Sequence, residues 1–287
     1  MNLDLTRRQS GLIAVVAAAV LWSTGGLFIK LLPFNAQTIL FYRSACAALM
    51  FGVLFHKSIF KVNALSIGIS VIYAGLLFCF VTATKLTTAA NAIFLQYTAP
   101  IYVLLLEPML FKTRLRRIDI ITILVCLGGM MLFFSGDLAV GDMRGNWIAL
   151  LSGVLLAGIM LGQRFNSPER YETAIFWGNI LVMALAFPAW KESPAPDLPQ
   201  WGMLLFLGFI QIGTGYMLFN YGLKRILAVE SALLAMLEPI LNPVWVFLGY
   251  GERPGSLAIV GGLIIVLMLM LRTWLTERRQ GVDRETV

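Results

Sequence analysis

Long apolar stretches separated by short polar connections follow one another along the whole chain. A helix that crosses the hydrocarbon core of a bilayer needs about 20 mostly apolar residues. Runs of roughly that length lie at residues 11–29, 36–55, 66–84, 88–111, 118–134, 146–163, 173–190, 201–221, 228–250 and 256–274. The runs are continuous, whereas the strands of a membrane barrel alternate apolar and polar residues. The pattern therefore predicts an all-α integral membrane protein with ten transmembrane helices.

Composition supports this prediction, because 59% of the residues are hydrophobic and only 13% are charged. Soluble domains are about 45–50% apolar and about 25% charged. The net charge of +7 suggests nucleic acid as a partner, but the basic residues lie in short connections and form no continuous patch. The expected partners are therefore the lipid bilayer and a small-molecule substrate, with no nucleic acid. The first run is longer than the core of a signal peptide and no cleavage site follows it, so it is interpreted as the first span.

The distribution of basic residues predicts the orientation of the chain. With the N-terminus inside, sixteen Lys and Arg residues lie on inside segments and five on outside loops, and Arg43 within a span completes the 22. The five outside residues are Lys30, Lys85, Arg144, Lys191 and Arg253. Cytoplasmic loops carry the excess of Lys and Arg in membrane proteins. Both termini are therefore predicted to be cytoplasmic, in the plasma (inner) membrane of a bacterium.

An internal repeat is visible when residues 85–132 are placed on residues 224–271. Lys85 then aligns with Lys224, and Pro100 with Pro239. The offset covers five helices, an odd number, so the two copies must have opposite orientations in the membrane. Secondary transporters use such inverted repeats, with the substrate site near the midplane between them.

The repeat divides the chain into three predicted parts. Residues 9–135 form the first five-helix repeat, residues 145–275 form the second, and residues 276–287 form a cytoplasmic tail. The connections between spans are short, which leaves no room for a soluble domain.

Several short motifs resemble those of the drug/metabolite transporter superfamily, specifically its proteins with two EamA domains. The motifs are Leu21-Trp22-Ser23, Tyr42-Arg43, Gln96-Tyr97-Thr98-Ala99-Pro100, Tyr216 with Asn220-Tyr221-Gly222, Leu237-Glu238-Pro239 and Gly251-Glu252-Arg253-Pro254. One departure is Lys112-Thr113-Arg114, where the family usually has Gly-Glu-Arg. The resemblance covers essentially the whole chain. It implies a ten-helix inverted-repeat carrier for small metabolites, with the pocket between the halves.

Glu238 is the leading candidate for chemistry. It lies about ten residues into the ninth predicted helix, roughly 15 Å along the axis and near the centre of the bilayer. A carboxylate there is costly and usually functional, so Glu238 is predicted to bind substrate and to couple transport to protons. The alternative is a protonated carboxyl that hydrogen-bonds across the backbone gap at Pro239.

Other candidates surround two prolines, Pro100 and Pro239, which are predicted to break their helices and expose carbonyls to a cavity. The candidate substrate-binding side chains near them combine aromatic rings with amides, which suits an amino-acid-like or cationic ligand. They are Trp22, Gln96, Tyr97, Tyr216, Asn220 and Met236, beside Glu238. Arg43 has two interpretations, a charge for an anionic substrate group or a structural residue that snorkels or pairs with a carboxylate.

The predicted function is secondary transport of small metabolites by alternating access, most specifically export of amino acids or related compounds. Proton coupling through Glu238 and facilitated exchange remain as alternative mechanisms, and a flippase-like carrier of another amphipathic metabolite is an alternative function. An integral membrane enzyme is disfavoured, because the sole histidine is His56 and no aspartate lies in the middle of a span. No catalytic residue, metal or cofactor is expected, and the chain is expected to be a monomer or a homodimer.

Overall fold

Helices account for every regular element of the computed structural model in the residues it describes, which are 2–112, 116–135, 142–166, 170–223, 225–226, 231 and 234–285. The elements are α1 (Asn2–Ser23), α2 (Gly25–Leu31), α3 (Ala36–Leu54), α4 (Ala64–Leu86), α5 (Ala89–Gln96), α6 (Ala99–Phe111), α7 (Arg117–Ser135), α8 (Met143–Phe165), α9 (Tyr171–Lys191), α10 (Leu198–Leu205), a π-helical segment (Phe206–Thr214), α11 (Gly215–Leu223), α12 (Leu237–Tyr250) and α13 (Ser256–Glu285). The last helix therefore continues well into the predicted tail.

Eight helical stretches in the described residues are long and apolar enough to cross a membrane. They are Arg7–Leu31, Ala36–Leu54, Ala64–Leu86, Ala89–Leu110, Met143–Gln163, Tyr171–Lys191, Leu198–Phe219 and Ser256–Leu275. The predicted span 118–134 is helical as α7, and the predicted span 228–250 begins among residues outside the described part and continues as α12. The all-helical membrane architecture is confirmed, while the count of ten spans stays a prediction.

Polar residues at the helix starts explain several of the helix boundaries. Asn63 accepts from the backbone N–H of Ser66 at 2.7 Å, and the Ser66 hydroxyl accepts from the Asn63 N–H at 2.9 Å. Asp197 and Gln200 form the same reciprocal pair at the start of α10. These capping boxes satisfy backbone donors that the first turn leaves free. The connections between apolar runs thus define where the helices begin.

The two predicted repeats interleave, so their closest helix pairs join one repeat to the other. In particular α4 packs on α8 and α9, α3 packs on α9 and the π-helical segment, α1 packs on α11 and α12, and α7 packs on α13. Exchanging each helix for its counterpart in the other repeat reproduces this set of pairs once the packing of α8 on α5 and α6, the counterpart of α1 on α12, is included. The core between the repeats is therefore a shared surface, and a group placed there is contacted from both.

Interruptions occur in the middle of four of the predicted spans. The first span breaks at Thr24, the fourth at Tyr97 and Thr98, and the ninth turns at Met236 before α12 begins. In the eighth span the π-helical segment widens the turns between α10 and α11. Irregular backbone at membrane depth occurs where it is buried in protein or lines a cavity, and π-helical turns are frequent at functional sites.

Two helices, one from each predicted repeat, end in the left-handed backbone conformation. Lys112 follows α6 with a φ of 53°, and Gly251 follows α12 with a φ of 77°. These residues are counterparts in the sequence alignment of the repeats. Lysine occupies the first site, where the family motif usually has glycine, although glycine adopts this conformation at the lowest cost.

Candidate functional site

The interrupted helices of the two repeats restart at equivalent points. Pro100 lies in the first turn of α6 and Pro239 lies in the first turn of α12. Both prolines are predicted to break their helices, because a proline in mid-helix removes a hydrogen bond. At a helix start the missing N–H costs no bond, because that donor has no partner within the helix. The structure thus accommodates the prolines by restarting each helix just before them.

A hydrogen bond joins these two restart points across the repeats. The hydroxyl of Tyr97, in the turn before α6, donates to Oε2 of Glu238 at 2.7 Å. The same hydroxyl lies 3.3 Å from the carbonyl oxygen of Ala235, four residues before Pro239. Glu238 therefore lies in the first turn of a restarted helix rather than ten residues into a continuous one. Its side chain is partly accessible.

A deeply buried charged residue, Arg43, lies near Glu238. Its side chain in α3 is 4% exposed, and neither Nε nor Nη1 has a hydrogen-bond partner in the described part of the structure. Its electrostatic neighbours are Tyr73, Tyr216 and Glu238. No ion pair within 4 Å joins Arg43 to Glu238 or to another described carboxylate. Arg43 does not snorkel to the surface, and these two nitrogens stay unpartnered in the described part of the structure.

Aromatic side chains form the next layer of the cluster. The ring of Trp22 meets Tyr216 edge-on, with 5.2 Å between centroids, and Phe219 at 5.1 Å. Tyr216 also approaches the hydroxyl of Tyr73, which accepts from Nδ2 of Asn179 at 3.4 Å. The structure thus brings Trp22, Tyr97, Tyr216 and Glu238 of the predicted set into one region with Arg43.

The remaining residues that were predicted to bind substrate are Met236, Gln96 and Asn220. Met236 is buried in the turn before α12. Gln96 ends α5, and its Oε1 is buried without a hydrogen-bond partner among the described residues. Asn220 lies in α11, and its side chain is outside the described part of the structure. No hydrogen bond connects Gln96 or Met236 to Glu238 in the described residues.

Sequence reasoning missed several polar residues inside apolar runs. Tyr73 and Asn179 support the Arg43 region, and both are buried. Near the break of the first span, Gln211 donates to the Trp22 carbonyl at 3.2 Å, and Asn242 is 1% exposed with both amide atoms unpartnered in the described part. A detectable signal existed, because polar residues within membrane spans are rare and tend to be functional.

One end of the bundle is held by a second polar network that joins the repeats. Nζ of Lys30 lies 2.6 Å from Oε2 of Glu252 and donates to the Thr87 carbonyl at 2.7 Å. The other carboxylate oxygen of Glu252 accepts from the backbone N–H of Ala89, the first residue of α5, at 2.7 Å. Nζ of Lys85 donates to the carbonyl of Leu32 nearby. We call these residues the Lys30–Glu252 network.

An ion pair joins the repeats elsewhere, through the helices α7 and α13. Nε and Nη2 of Arg272 both lie 3.0 Å from Oδ1 of Asp119. Oδ2 of Asp119 accepts from the backbone N–H of Arg116 at 2.8 Å. The carboxylate therefore caps the start of α7 and binds the other repeat at the same time.

A separate polar groove of about 710 Å³ opens between the start of α3 and the connection from α9 to α10. Its polar lining includes Asn35, Gln37, Glu192, Asp197 and Gln200. None of its lining residues belongs to the group around Glu238, so we do not assign it to the central site.

The EamA-like transporter family matches the chain twice, at residues 9–135 and at residues 143–274. The chain belongs to that family. The resemblance that the short motifs indicated is thereby confirmed, and this EamA-like chain is a multi-span helical membrane protein of a transporter family.

Individual relatives agree with the family assignment. The chain is 27% identical to the pseudopaline exporter CntI of Pseudomonas aeruginosa, over 93% of this chain and 96% of the relative. It is 24% identical to the transporter YxxF of Bacillus subtilis, over 98% and 94%, and 22% identical to the biotin transporter of Escherichia coli, over 67% of each. A solved crystal structure matches 94% of this chain and 98% of its own with a TM-score of 0.63 and 20% identity, which supports the fold.

Proposed function

We propose that this EamA-like chain is a secondary carrier that exports amino acids or related small metabolites across the inner membrane. The observation that carries the proposal is the hydrogen bond from Tyr97 to Glu238, because it links the interrupted helices of both repeats inside the bundle. Broken helices at the interface between repeats form the substrate sites of such carriers. The exporter and the biotin transporter among the relatives support a small metabolite as cargo.

Alternating access is the proposed mechanism, and it rests on polar contacts between the repeats. The Lys30–Glu252 network joins the repeats at the end predicted to be outside, and the Asp119–Arg272 pair joins them at the end predicted to be inside. Each of these contacts joins the two repeats, so it would break when the repeats separate at that end. Opening one end while the other stays closed would expose the central site to one side at a time.

Glu238 is the proposed proton-coupling residue, as the sequence analysis expected. The charged or titratable groups that face it are Tyr97, Tyr216 and Arg43. Its direct hydrogen-bond partner is the neutral hydroxyl of Tyr97, so protonation breaks no ion pair within 4 Å. A protonated carboxyl has a donor of its own and can keep the contact by donating to the tyrosine oxygen.

The proposal includes ten spans in two inverted repeats with both termini inside. The charge distribution of the loops and the exchangeable packing of the repeats support this arrangement. The proposed transport unit is a single chain, either as a monomer or within a homodimer.

Purified protein in liposomes, tested with a panel of labelled amino acids and an imposed pH gradient, decides the proposal. We expect accumulation of at least one amino acid by the wild type. Glu238→Gln should abolish accumulation driven by the pH gradient but retain exchange between compartments, because glutamine keeps the size and cannot titrate. The matched control is Glu192→Gln, at an exposed carboxylate outside the central region.

Each other outcome has a defined meaning. A Glu238→Gln carrier that still concentrates substrate with only a pH gradient excludes Glu238 as the coupling site. A wild type that exchanges substrate but ignores the gradient is a facilitator. A wild type that moves no compound of the panel contradicts amino-acid transport.

A further inference from the structure

We propose that Arg43 binds the carboxylate of the transported molecule, so that this carrier recognises its substrates by an anionic group. The inference rests on the proposed function, because it assigns a substrate class to the same central site. It adds a binding group to that site and predicts which substrates the carrier rejects.

The first argument is the unsatisfied state of the guanidinium. Arg43 is 4% exposed, and its Nε and Nη1 lack hydrogen-bond partners in the described part of the structure. Arginine stays protonated in proteins, so this group cannot lower its cost by losing a proton. A buried charge without hydrogen-bonded partners is strongly unfavourable. An incoming carboxylate oxygen would accept a charge-assisted hydrogen bond from one of these free N–H groups.

The second argument is that the nearby acidic residue, Glu238, accepts a hydrogen bond from Tyr97 and forms no ion pair with Arg43. Glu238 is the carboxylate among the electrostatic neighbours of Arg43, and the Tyr97 hydroxyl holds it at 2.7 Å. The two charges interact without closing to an ion pair of 4 Å or less. A zwitterionic ligand can therefore place its carboxylate on Arg43 and its ammonium towards Glu238, which uses both charges.

The third argument is the path from Arg43 to accessible space. Tyr216 faces Arg43 and Tyr73, and its ring packs against Trp22. Tyr216 and Trp22 are partly exposed, whereas Arg43 and Tyr73 are buried. Tyr216 and Trp22 are thus more accessible to an incoming ligand than Arg43. The tyrosine hydroxyls add neutral donors for a carboxylate oxygen, and the rings suit an apolar side chain of the ligand.

Other basic residues near the repeat interface do not offer the same site. Lys30 is bound to Glu252 and to the Thr87 carbonyl, and Lys85 is bound to the Leu32 carbonyl. Arg272 is bound to Asp119. Arg43 is distinguished from these three by free donors combined with burial.

The test compares acids with their own carboxamides, which keep the amine and the side chain but lose the negative charge. The probes are L-leucine, L-phenylalanine, leucinamide and phenylalaninamide. Binding is measured as the ligand-induced rise in melting temperature of the purified carrier, and again as inhibition of labelled acid uptake in liposomes. We expect the wild type to bind an acid at least about tenfold more tightly than its carboxamide, the scale of a lost charge-assisted hydrogen bond.

Three variants complete the experiment. Arg43→Gln should weaken acid binding roughly 10- to 100-fold and bring acid and carboxamide to similar affinities. Arg43→Lys keeps the positive charge but lacks the planar guanidinium. Its affinity for the acids should lie between those of the wild type and Arg43→Gln. Arg144→Gln, at an exposed site, is the matched control and should behave as wild type. Without ligand, Arg43→Gln should melt no lower than wild type, because it removes an unpaired buried charge.

The outcomes separate this inference from the proposed function. Equal binding of acids and carboxamides by the wild type, or an Arg43→Gln protein that melts several degrees lower and keeps its acid preference, overturns the role of Arg43. A wild type that binds none of the four probes contradicts amino-acid transport instead. In that case the role of Arg43 is tested by comparing the binding of hexanoate and hexanamide to the wild type. Equal binding of these two compounds overturns the role of Arg43.

Discussion

The hydroxyl of Tyr97 and the carboxylate of Glu238 lie 2.7 Å apart and connect the two interrupted helices of the repeats. Each residue lies at the point where its helix turns or restarts, and each is partly accessible. An uninterrupted helix in either repeat would have no turn or restart at this contact. The hydrogen bond therefore places the titratable carboxyl of Glu238 at the breaks in both helices. Removing this hydrogen bond is the most direct test of the central site.

Tyr97→Phe removes the donor to Glu238 and leaves the ring in place. We expect transport to fall roughly tenfold, in line with the loss of a hydrogen bond to a charged group, while expression stays near wild type. Initial rates in liposomes at matched protein amounts measure the effect. Tyr250→Phe is the control, because Tyr250 is exposed at the end of α12. Equal rates for Tyr97→Phe and wild type would make the contact incidental.

Cross-linking tests whether the end of the bundle held by the Lys30–Glu252 network opens during transport. Cysteines at positions 30 and 252, joined by a cleavable bifunctional thiol reagent, should abolish transport, and reductant should restore it. The same result is expected for positions 119 and 272 at the other end. The background lacks the native Cys46, Cys79 and Cys126, and each single-cysteine variant treated in the same way is a control. Transport that persists with either pair cross-linked contradicts opening at that end.

The sequence predicted the membrane architecture and part of the central site, for physical reasons that differ between residues. Continuous apolar runs define the helices, and Glu238 stood out because a carboxylate within such a run is costly. A proline indicates an interruption but not the side on which the helix resumes, so the starts of α6 and α12 just before Pro100 and Pro239 could not be predicted. The surroundings of Arg43 could not be predicted, because Tyr73 and Asn179, which donates to Tyr73, come from other helices and their convergence depends on tertiary packing.

The predicted orientation is tested by labelling single cysteines with a membrane-impermeant thiol reagent in intact cells. Cysteines that replace Arg144 and Lys191 should be labelled, and cysteines that replace Lys57 and Arg116 should be labelled only after the cells are opened. All four sites are exposed. We prefer Arg144 to Lys85, since Nζ of Lys85 is bound to a backbone carbonyl. Labelling of position 57 or 116 in intact cells would contradict cytoplasmic termini.

The last prediction concerns the two helix ends with left-handed backbone, at Lys112 and Gly251. A residue with a Cβ in this conformation costs about 1–2 kcal/mol, and glycine avoids that cost. Lys112 is exposed, so its replacement removes little packing. Lys112→Gly should therefore stabilise the protein by up to about 1 kcal/mol, because the greater freedom of glycine in the unfolded chain offsets part of the gain.

The reciprocal change, Gly251→Lys, should destabilise the protein by up to about 1 kcal/mol, because the strain that it introduces is partly offset by the lower freedom of lysine in the unfolded chain. Melting temperatures of the two variants in detergent, compared with wild type, measure both effects. Lys112→Ala is the control for loss of the lysine side chain, because alanine retains a Cβ and should gain nothing from the backbone. If Lys112→Gly and Lys112→Ala melt at the same temperature, the left-handed end of α6 stores no strain and the asymmetry between the repeats has no energetic consequence.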